Sequence, residues 1–177
     1  MTDQRVSLAL IGCGSIAQSH WQGIQCDAPN VNVTAVIDTD SERAQNMAKQ
    51  TGAQAFTSIN EALDKGSFDA VDIMLPHDQH EEAAITCFEA GKHVVLEKPM
   101  AITLDACQRI MDAAASAGTV FMVAEQSHYW PDAVKIQRMI DEGAIGEVIT
   151  AGAFFGGSVD SGWGSKPWRY ELAKAGG

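Results

Sequence analysis

Residues 6–17 read Val-Ser-Leu-Ala-Leu-Ile-Gly-Cys-Gly-Ser-Ile-Ala, and the fold predicted for the rest of the chain follows from this stretch. An apolar run, two glycines one residue apart and a helix-compatible segment predict a strand, a tight turn and a helix N-terminus. This order matches the Gly-x-Gly-x-x-Ala form of the dinucleotide-binding fingerprint. Gly12 would allow the turn, Gly14 would let a pyrophosphate approach the backbone, and Ala17 would let helix and strand pack closely.

A second strand-like run ends in an acid that bears on the choice of dinucleotide. Residues 31–38 read Val-Asn-Val-Thr-Ala-Val-Ile-Asp, and Asp38 lies about 20 residues beyond the glycine turn, as in that fingerprint. A carboxylate here accepts hydrogen bonds from a ribose 2′-hydroxyl and repels a 2′-phosphate, and the next arginine is Arg43. We therefore expect NAD in preference to NADP. The alternative is that Asp38 only starts a turn or caps the helix from Ser41.

The overall charge excludes several classes of partner. The 177 residues include 12 Lys plus Arg and 23 Asp plus Glu, a formal net charge of −11. This balance argues against a nucleic-acid partner and against binding to an anionic membrane surface. A dinucleotide would have to be held by local backbone donors at a helix N-terminus. The sequence contains neither a signal-like apolar segment nor a run long enough for a membrane span.

The four cysteines predict a reduced, cytoplasmic protein. They are Cys13, Cys26, Cys87 and Cys107, and none forms a Cys-x-x-Cys pair. Cys13 lies inside the glycine turn, where we expect a variable turn residue rather than a nucleophile.

Strands and helices alternate along the first two thirds of the chain. Further strands are predicted at 53–56, 70–75, 93–96 and 119–124, and helices from Ser41, Ile59, Gln79 and Thr103. The strands are continuous apolar runs without hairpin signals, which favours a parallel sheet covered on both faces. The predicted fold is α/β, with a doubly wound parallel Rossmann sheet of order 3-2-1-4-5-6 over residues 1–124.

Residues 125–177 differ in composition and predict the start of a second, incomplete α/β domain. A helix is expected at Ala133–Glu142 and a strand at Glu147–Phe155, followed by a Gly- and Ser-rich stretch that holds Trp163, Trp168 and Tyr170. So few elements cannot close a core of their own. The strand would leave an exposed edge, so we expect self-association.

Several later motifs resemble one oxidoreductase family. They are Pro76-x-x-x-His80, the run Ala-Gly-Lys-His-Val-Val-Leu-Glu-Lys-Pro at 90–99, Gly-Ala-Ile-Gly-Glu-Val at 143–148, and Trp168-Arg169. Together they resemble the glucose-fructose oxidoreductase, inositol dehydrogenase and rhizopine-catabolism (Gfo/Idh/MocA) family. The resemblance implies an NAD-dependent oxidoreductase that acts on a secondary alcohol of a sugar, cyclitol or polyol. It also implies a homo-oligomer formed through the second domain.

The resemblance carries over specific site residues. Lys98 would be catalytic, and Glu97 and Lys98 would lie near the nicotinamide ribose and the reacting carbon. The cofactor-binding positions implied by the family are Gly12, Gly14, Ser15, Ile16, Asp38, Leu75, Pro76, His80, Glu97, Lys98, Gln126, Trp168 and Arg169.

The position of Lys98 in the sequence also indicates a role at the ligand site. Pro99 disfavours helix at Lys98, so the lysine is expected to be extended at the carboxyl end of a strand, where this fold places ligands. Its ammonium could stabilise a developing alkoxide, and Glu97 could orient that lysine or a ribose hydroxyl. The alternative is a solvated Glu-Lys pair at a strand end.

The sequence predicts less specific roles for the histidines than for Lys98. His77 and His80 have the spacing of two metal ligands on one helical turn, but no further ligand completes a site, so no metal is predicted. We expect His77 in a loop and His80 near the cofactor. His20 and His93 are expected to be packing or surface residues. His128 stands where many relatives have arginine, which weakens any substrate role for that position.

The sequence departs from the family after Trp168-Arg169. In relatives a glycine-rich turn and an Asp-x-Gly-x-His segment follow, and that histidine is the usual proton acceptor. No histidine follows Arg169 here, so we expect a fragment of a longer enzyme with little turnover of its own. The alternatives are a non-catalytic dinucleotide-binding sensor or regulatory module and a lyase or hydrolase that uses bound NAD transiently.

Overall fold

A six-stranded parallel sheet forms the centre of the computed structural model, which describes residues 5–154, 156 and 167–176. The strands are β1 (Val6–Ile11), β2 (Val31–Ile37), β3 (Gln54–Phe56), β4 (Ala70–Ile73), β5 (His93–Glu97) and β6 (Phe121–Ala124). The helices are α1 (Ser15–Asp27), α2 (Ser41–Thr51), α3 (Ile59–Lys65), α4 (His80–Glu89), α5 (Leu104–Ala117), α6 (Pro131–Asp141) and α7 (Leu172–Ala175).

The strand order is β3-β2-β1-β4-β5-β6, and every neighbouring pair is parallel. This confirms the predicted doubly wound Rossmann sheet. The order reverses at β1, which pairs with β2 on one side and β4 on the other. Chain segments leaving β1 and β4 therefore go to opposite faces, and a crevice opens at their carboxyl ends.

The sheet is buried on both faces, as continuous apolar strands require. Leu8 and Leu10 of β1 belong to one buried cluster, which also contains Met47 of α2. Ala9 and Ile11 belong to a second buried cluster on the other face, with Phe88 of α4. Alternate side chains of one strand thus contribute to two separate cores.

The start of α2 differs by one residue from the prediction. Asp40, not Ser41, is the N-cap, since its Oδ1 accepts hydrogen bonds from the backbone N–H groups of Glu42 and Arg43. A carboxylate at this position also interacts favourably with the helix dipole. Gly52 ends the helix with φ of 76°, as predicted from its position.

The predicted strand at Glu147–Phe155 is wrong over residues 147–154, which are not in a strand; Phe155 and Trp163 lie outside the described residues. An extended segment becomes a strand only when a neighbour supplies hydrogen-bond partners. Within 5–154, 156 and 167–176, all six strands belong to the Rossmann sheet and none pairs with this segment. Its Ile149 and Phe154 are almost fully exposed.

Residues 167–176 form a 3-10 turn, Pro167–Tyr170, and the short helix α7. This segment lies against the 3-10 turn His77–Gln79 that precedes α4. The carbonyl of Ala175 is 3.0 Å from Nδ1 of His77. No local sequence pattern predicts this contact, since it joins positions 98 residues apart.

All four cysteines are free thiols. Burial and, to a smaller extent, the nearby charge of Asp38 together raise the pKa of Cys13 to about 12, which agrees with a structural turn residue rather than a nucleophile. None of the helices within the described ranges has the length and apolarity needed to cross a membrane.

Candidate functional site

A cleft of about 720 Å³ lies at the carboxyl edge of the sheet, at the point where the strand order reverses. This is the crevice in which doubly wound folds bind their ligands. The structure brings together in its lining every predicted site residue except His80, namely Gly12, Gly14, Ser15, Ile16, Asp38, Leu75, Pro76, Glu97, Lys98, Gln126, Trp168 and Arg169.

Gly12 and Gly14 are glycines for different structural reasons. Gly12 has φ of +92°, and a Cβ there would lie 2.7 Å from the carbonyl oxygen of Met74. Gly14 is the N-cap of α1 with an ordinary φ of −76°, and a Cβ there would meet no atom within 4 Å. Gly12 is therefore required by the fold. Gly14 leaves a space in the cleft wall at a helix N-terminus, which fits a phosphate group.

Asp38 follows β2 and is 9% exposed. Its Oδ2 accepts a hydrogen bond from the backbone N–H of Cys13, and its Oδ1 accepts one from the N–H of Asp40, both at 2.9 Å. The carboxylate therefore links the glycine turn to the start of α2 but does not cap that helix. Nη1 of Arg43 is 4.0 Å from Asp38 Oδ2, while its Nε pairs with Asp40 at 2.9 Å.

Glu97 and Lys98 lie where β5 ends, on the opposite side of the crevice. Oε2 of Glu97 accepts a hydrogen bond of 2.9 Å from the backbone N–H of Lys98, and the Lys98–Pro99 peptide bond is cis. Both side chains are half-buried and line the cleft. The pair is therefore not the solvated surface pair that was the alternative interpretation.

His20, expected to be a packing or surface residue, instead joins two carboxylates behind the cleft. Its Nδ1 is 2.7 Å from Asp72 Oδ2, and its Nε2 is 3.2 Å from Glu97 Oε1. A recognisable signal was present in Asp72, a carboxylate within the otherwise apolar strand β4. Such a group needs a buried partner.

His80 is placed differently from the expectation. The side chain is fully buried, and its two ring nitrogens are each 2.9 Å from a backbone carbonyl, those of Leu75 and Pro99. It does not line the cleft but ties together the two loops that follow β4 and β5. Burial lowers the pKa of His80 more than the two carbonyl contacts raise it.

His77, expected in a loop, begins the 3-10 turn and lines the cleft. Its ring packs edge-on against Trp168, with centroids 4.7 Å apart, and the Arg169 guanidinium lies 5.0 Å from the Trp168 ring centre. The segment 167–176 therefore contributes an aromatic and a cationic side chain to the wall near His77. Gln126 reaches the cleft from the 3-10 turn that follows β6.

Residues 6–125 match the family model of the Gfo/Idh/MocA oxidoreductases, described as an oxidoreductase family with an NAD-binding Rossmann fold. The chain belongs to the Gfo/Idh/MocA family. This match covers the six strands, the glycine turn, Asp38 and Lys98. It confirms the family resemblance drawn from the motifs at 76–80 and 90–99, and with it the assignment of an NAD-binding Rossmann domain.

Curated and solved members of the Gfo/Idh/MocA family are similar over most of this chain. Inositol 2-dehydrogenase 2 of Saccharopolyspora erythraea is 31% identical over 81% of the chain and 43% of its own length. Levoglucosan dehydrogenase of Pseudarthrobacter phenanthrenivorans is 31% identical over 98% of the chain and 47% of its own length. The crystal structure of the WlbA dehydrogenase from Bordetella pertussis in complex with NADH and UDP-GlcNAcA superposes with a TM-score of 0.79 at 31% identity, over 83% of this chain and 42% of that one. The chain thus spans less than half the length of these relatives.

Part of the cleft wall comes from residues that no sequence motif indicated. Thr57, Ser58, Ile59 and Asn60 extend the wall beyond Asp38. Topology could have placed them, since β3 is parallel to β2 and its carboxyl end lies at the same edge of the sheet. Within the ranges that the structure describes, no three His, Cys, Asp or Glu side chains group as a metal site.

Proposed function

We propose that this chain binds NAD in the cleft as the cofactor-binding part of a dehydrogenase that acts on a secondary alcohol of a sugar, cyclitol or polyol. The observation that carries the proposal is that the glycine turn, Asp38 and Lys98, which are far apart in sequence, line one cleft at the reversal of strand order. Residues 1–124 would form the cofactor domain, and residues 125–177 the N-terminal part of the substrate domain.

Each part of the cleft fits one part of the dinucleotide. The space beside Gly14 and the first N–H groups of α1 would take the pyrophosphate, and Asp38 would accept hydrogen bonds from the adenosine ribose. The middle of the cofactor would lie along Leu75 and Pro76. The nicotinamide end would be held by Glu97, Lys98, Gln126, Trp168 and Arg169.

Lys98 would act on the substrate rather than on the cofactor alone. Bound NAD supplies the hydride acceptor. The Lys98 ammonium would donate a hydrogen bond to the substrate oxygen and stabilise the negative charge that develops there. The hydroxyl proton must pass to a base, and the family resemblance implies a histidine that follows the Trp-Arg motif for this role. Assembly into a homo-oligomer through the second domain stays a prediction.

A fluorescence titration of the purified chain with NADH, and in parallel with NADPH, tests the cofactor proposal. We expect saturable NADH binding and weaker NADPH binding, because a 2′-phosphate would meet the Asp38 carboxylate. Failure of both nucleotides to bind would refute the proposal. Tighter binding of NADPH would refute the role given to Asp38.

Reduction of NAD in the presence of sugars and polyols tests the catalytic part. We expect any NAD reduction to depend on the added sugar or polyol and on Lys98; a rate that survives loss of the Lys98 ammonium would refute the role given to Lys98. Lys98→Met should lower any residual rate by about a hundredfold, the usual effect of losing one oxyanion donor. Lys49→Met is the matched control, since Lys49 is exposed on α2 outside the cleft.

A further inference from the structure

Asp72 is a buried carboxylate in the middle of the sheet. It lies on β4 between apolar residues and is 5% exposed. Its Oδ2 contacts Nδ1 of His20, and its Oδ1 is buried without a hydrogen-bond partner among the described residues. A buried carboxylate is stable as an anion only with a compensating positive charge. His20 is the side chain that supplies this charge.

His20 is held between two carboxylates from neighbouring strands. Asp72 of β4 faces its Nδ1 and Glu97 of β5 faces its Nε2, and Lys98 is the next charged residue beyond Glu97. Carboxylate oxygens only accept hydrogen bonds, so both ring nitrogens must donate and the ring is an imidazolium. Burial lowers the pKa of His20, but the hydrogen bonds and charges of the two carboxylates outweigh burial and raise it to about 10.

Glu97 is the member of this group that reaches the cleft. Its Oε1 faces His20 at 3.2 Å, and its Oε2 accepts the Lys98 N–H at 2.9 Å. Both oxygens are thus fixed, while the side chain lines the cleft with 14% exposure. Burial raises the pKa of Glu97, and the hydrogen bond and charge of His20 outweigh this, so its pKa lies below the ordinary value.

We propose that His20 is a positioning residue that keeps Glu97 ionised and oriented toward the nicotinamide ribose. His20 acts through Glu97, since it is not among the residues that line the cleft. This inference rests on the proposed function, because it needs the nicotinamide end of NAD to lie beside Glu97. His20 lies on α1, the helix that follows the glycine turn. Through its contact with Glu97 it thereby links the proposed pyrophosphate end of the cleft to the proposed nicotinamide end.

His20→Gln removes the charge and keeps hydrogen-bonding capacity. Binding of NADH should weaken by about tenfold, or ~1.4 kcal/mol. Binding of ADP, which lacks the nicotinamide riboside, should change by less than about twofold. The matched control is His93→Gln, since His93 is exposed at the start of β5 and its Nδ1 only accepts the N–H of Val120. That variant should bind both ligands as the wild type does.

Combination with Glu97→Gln distinguishes positioning from a general structural role. If His20 acts through Glu97, then His20→Gln should change NADH binding by less than about twofold in the Glu97→Gln background. A full additional loss in that background would overturn the proposal. So would an equal loss of NADH and ADP affinity in the single variant, because that indicates a disturbed fold.

The protonation of wild-type His20 gives a readout that needs no variant. In the ligand-free chain, ¹⁵N NMR of the imidazole should show both nitrogens protonated at about pH 8, well above the usual titration range of histidine. A neutral ring at that pH would overturn the proposal. Wild-type protein that binds neither NADH nor ADP would refute the proposed function itself. Wild type and His20→Gln binding NADH equally well would refute only the role of His20.

Discussion

Alanine substitution at Gly12 and at Gly14 separates the folding role of the glycine turn from its binding role. Gly12→Ala places a Cβ at φ of +92°, 2.7 Å from the Met74 carbonyl oxygen and 3.0 Å from its carbon. Gly14→Ala places a Cβ at an allowed φ with no atom within 4 Å. The two variants add the same group two residues apart, so each is the control of the other.

The expected magnitudes follow from these geometries. A left-handed backbone costs alanine about 1–2 kcal/mol. The contact with backbone atoms of Met74 adds overpacking of about 1–3 kcal/mol, since no side-chain rotation can relieve it. Gly12→Ala should therefore lower the free energy of unfolding by about 2–5 kcal/mol, a large part of the stability of a typical domain. For Gly14→Ala, the reduced entropy of the unfolded chain and the poorer N-cap oppose each other, so the change should stay within about 1 kcal/mol.

Urea unfolding and NADH titration of both variants check this reasoning. We expect Gly12→Ala to unfold at lower urea. Gly14→Ala should keep its stability and lose about tenfold or more in NADH affinity, because the added methyl occupies the space proposed for the pyrophosphate. Wild-type NADH affinity in Gly14→Ala would refute that placement. Unchanged stability in Gly12→Ala would refute the argument from the Met74 contact.

Three further predictions concern single side chains. Asp38→Ser should shift the ratio of NADH to NADPH affinity toward NADPH by about tenfold, because it removes the carboxylate and leaves Arg43 near the ribose site; parallel titrations measure the ratio, and an unchanged ratio would assign selectivity elsewhere. In the folded protein the pKa of His20 is raised from 6.5 to about 10. The stabilisation of the folded state by protonated His20 is therefore fully present below pH 6.5 and is lost as pH rises toward 10. The difference in unfolding free energy between wild type and His20→Gln should therefore shrink over that window in urea melts, and a constant difference would contradict the shift. His80→Ala should lower the free energy of unfolding by about 3–5 kcal/mol, since it leaves a cavity and removes the ring N–H from beside the carbonyls of Leu75 and Pro99. Calorimetry that finds less than about 1 kcal/mol would contradict the structural role given to His80.

The sheet and the part of the cleft lined by the glycine turn and Asp38 could be predicted because their signals are local. Apolar runs alternating with capped helices specify the strand order once the crossover rule is applied. Local sequence patterns indicate the backbone turn at Gly12 and Gly14 and the position of Asp38 at the end of a strand. Even there the capping residue was misplaced, because Ser41 and Asp40 both qualify by type and only the hydrogen bonds identify Asp40.

The remaining features depend on contacts between distant positions. His80 was expected at the cofactor, but the loops after β4 and β5 close over it and bury it. The partners of His20 are 52 and 77 residues away, so their meeting depends on the register of β4 and β5. Residues 147–154 have the composition of a strand, yet strand formation also depends on a neighbour that no local pattern specifies.

The position of β1 in the sheet implies that different parts of the cleft wall open at different rates. β1 is paired on both sides and covered on both faces, so its amide protons should exchange with solvent only when the whole domain unfolds. The strands that carry Asp38 and Lys98 each adjoin an edge strand, β3 or β6, and edges open at lower free energy. The glycine turn proposed to hold the pyrophosphate thus follows a strand from the slowly exchanging centre of the sheet, while the proposed adenosine and nicotinamide ends of the cleft should adjust separately during binding.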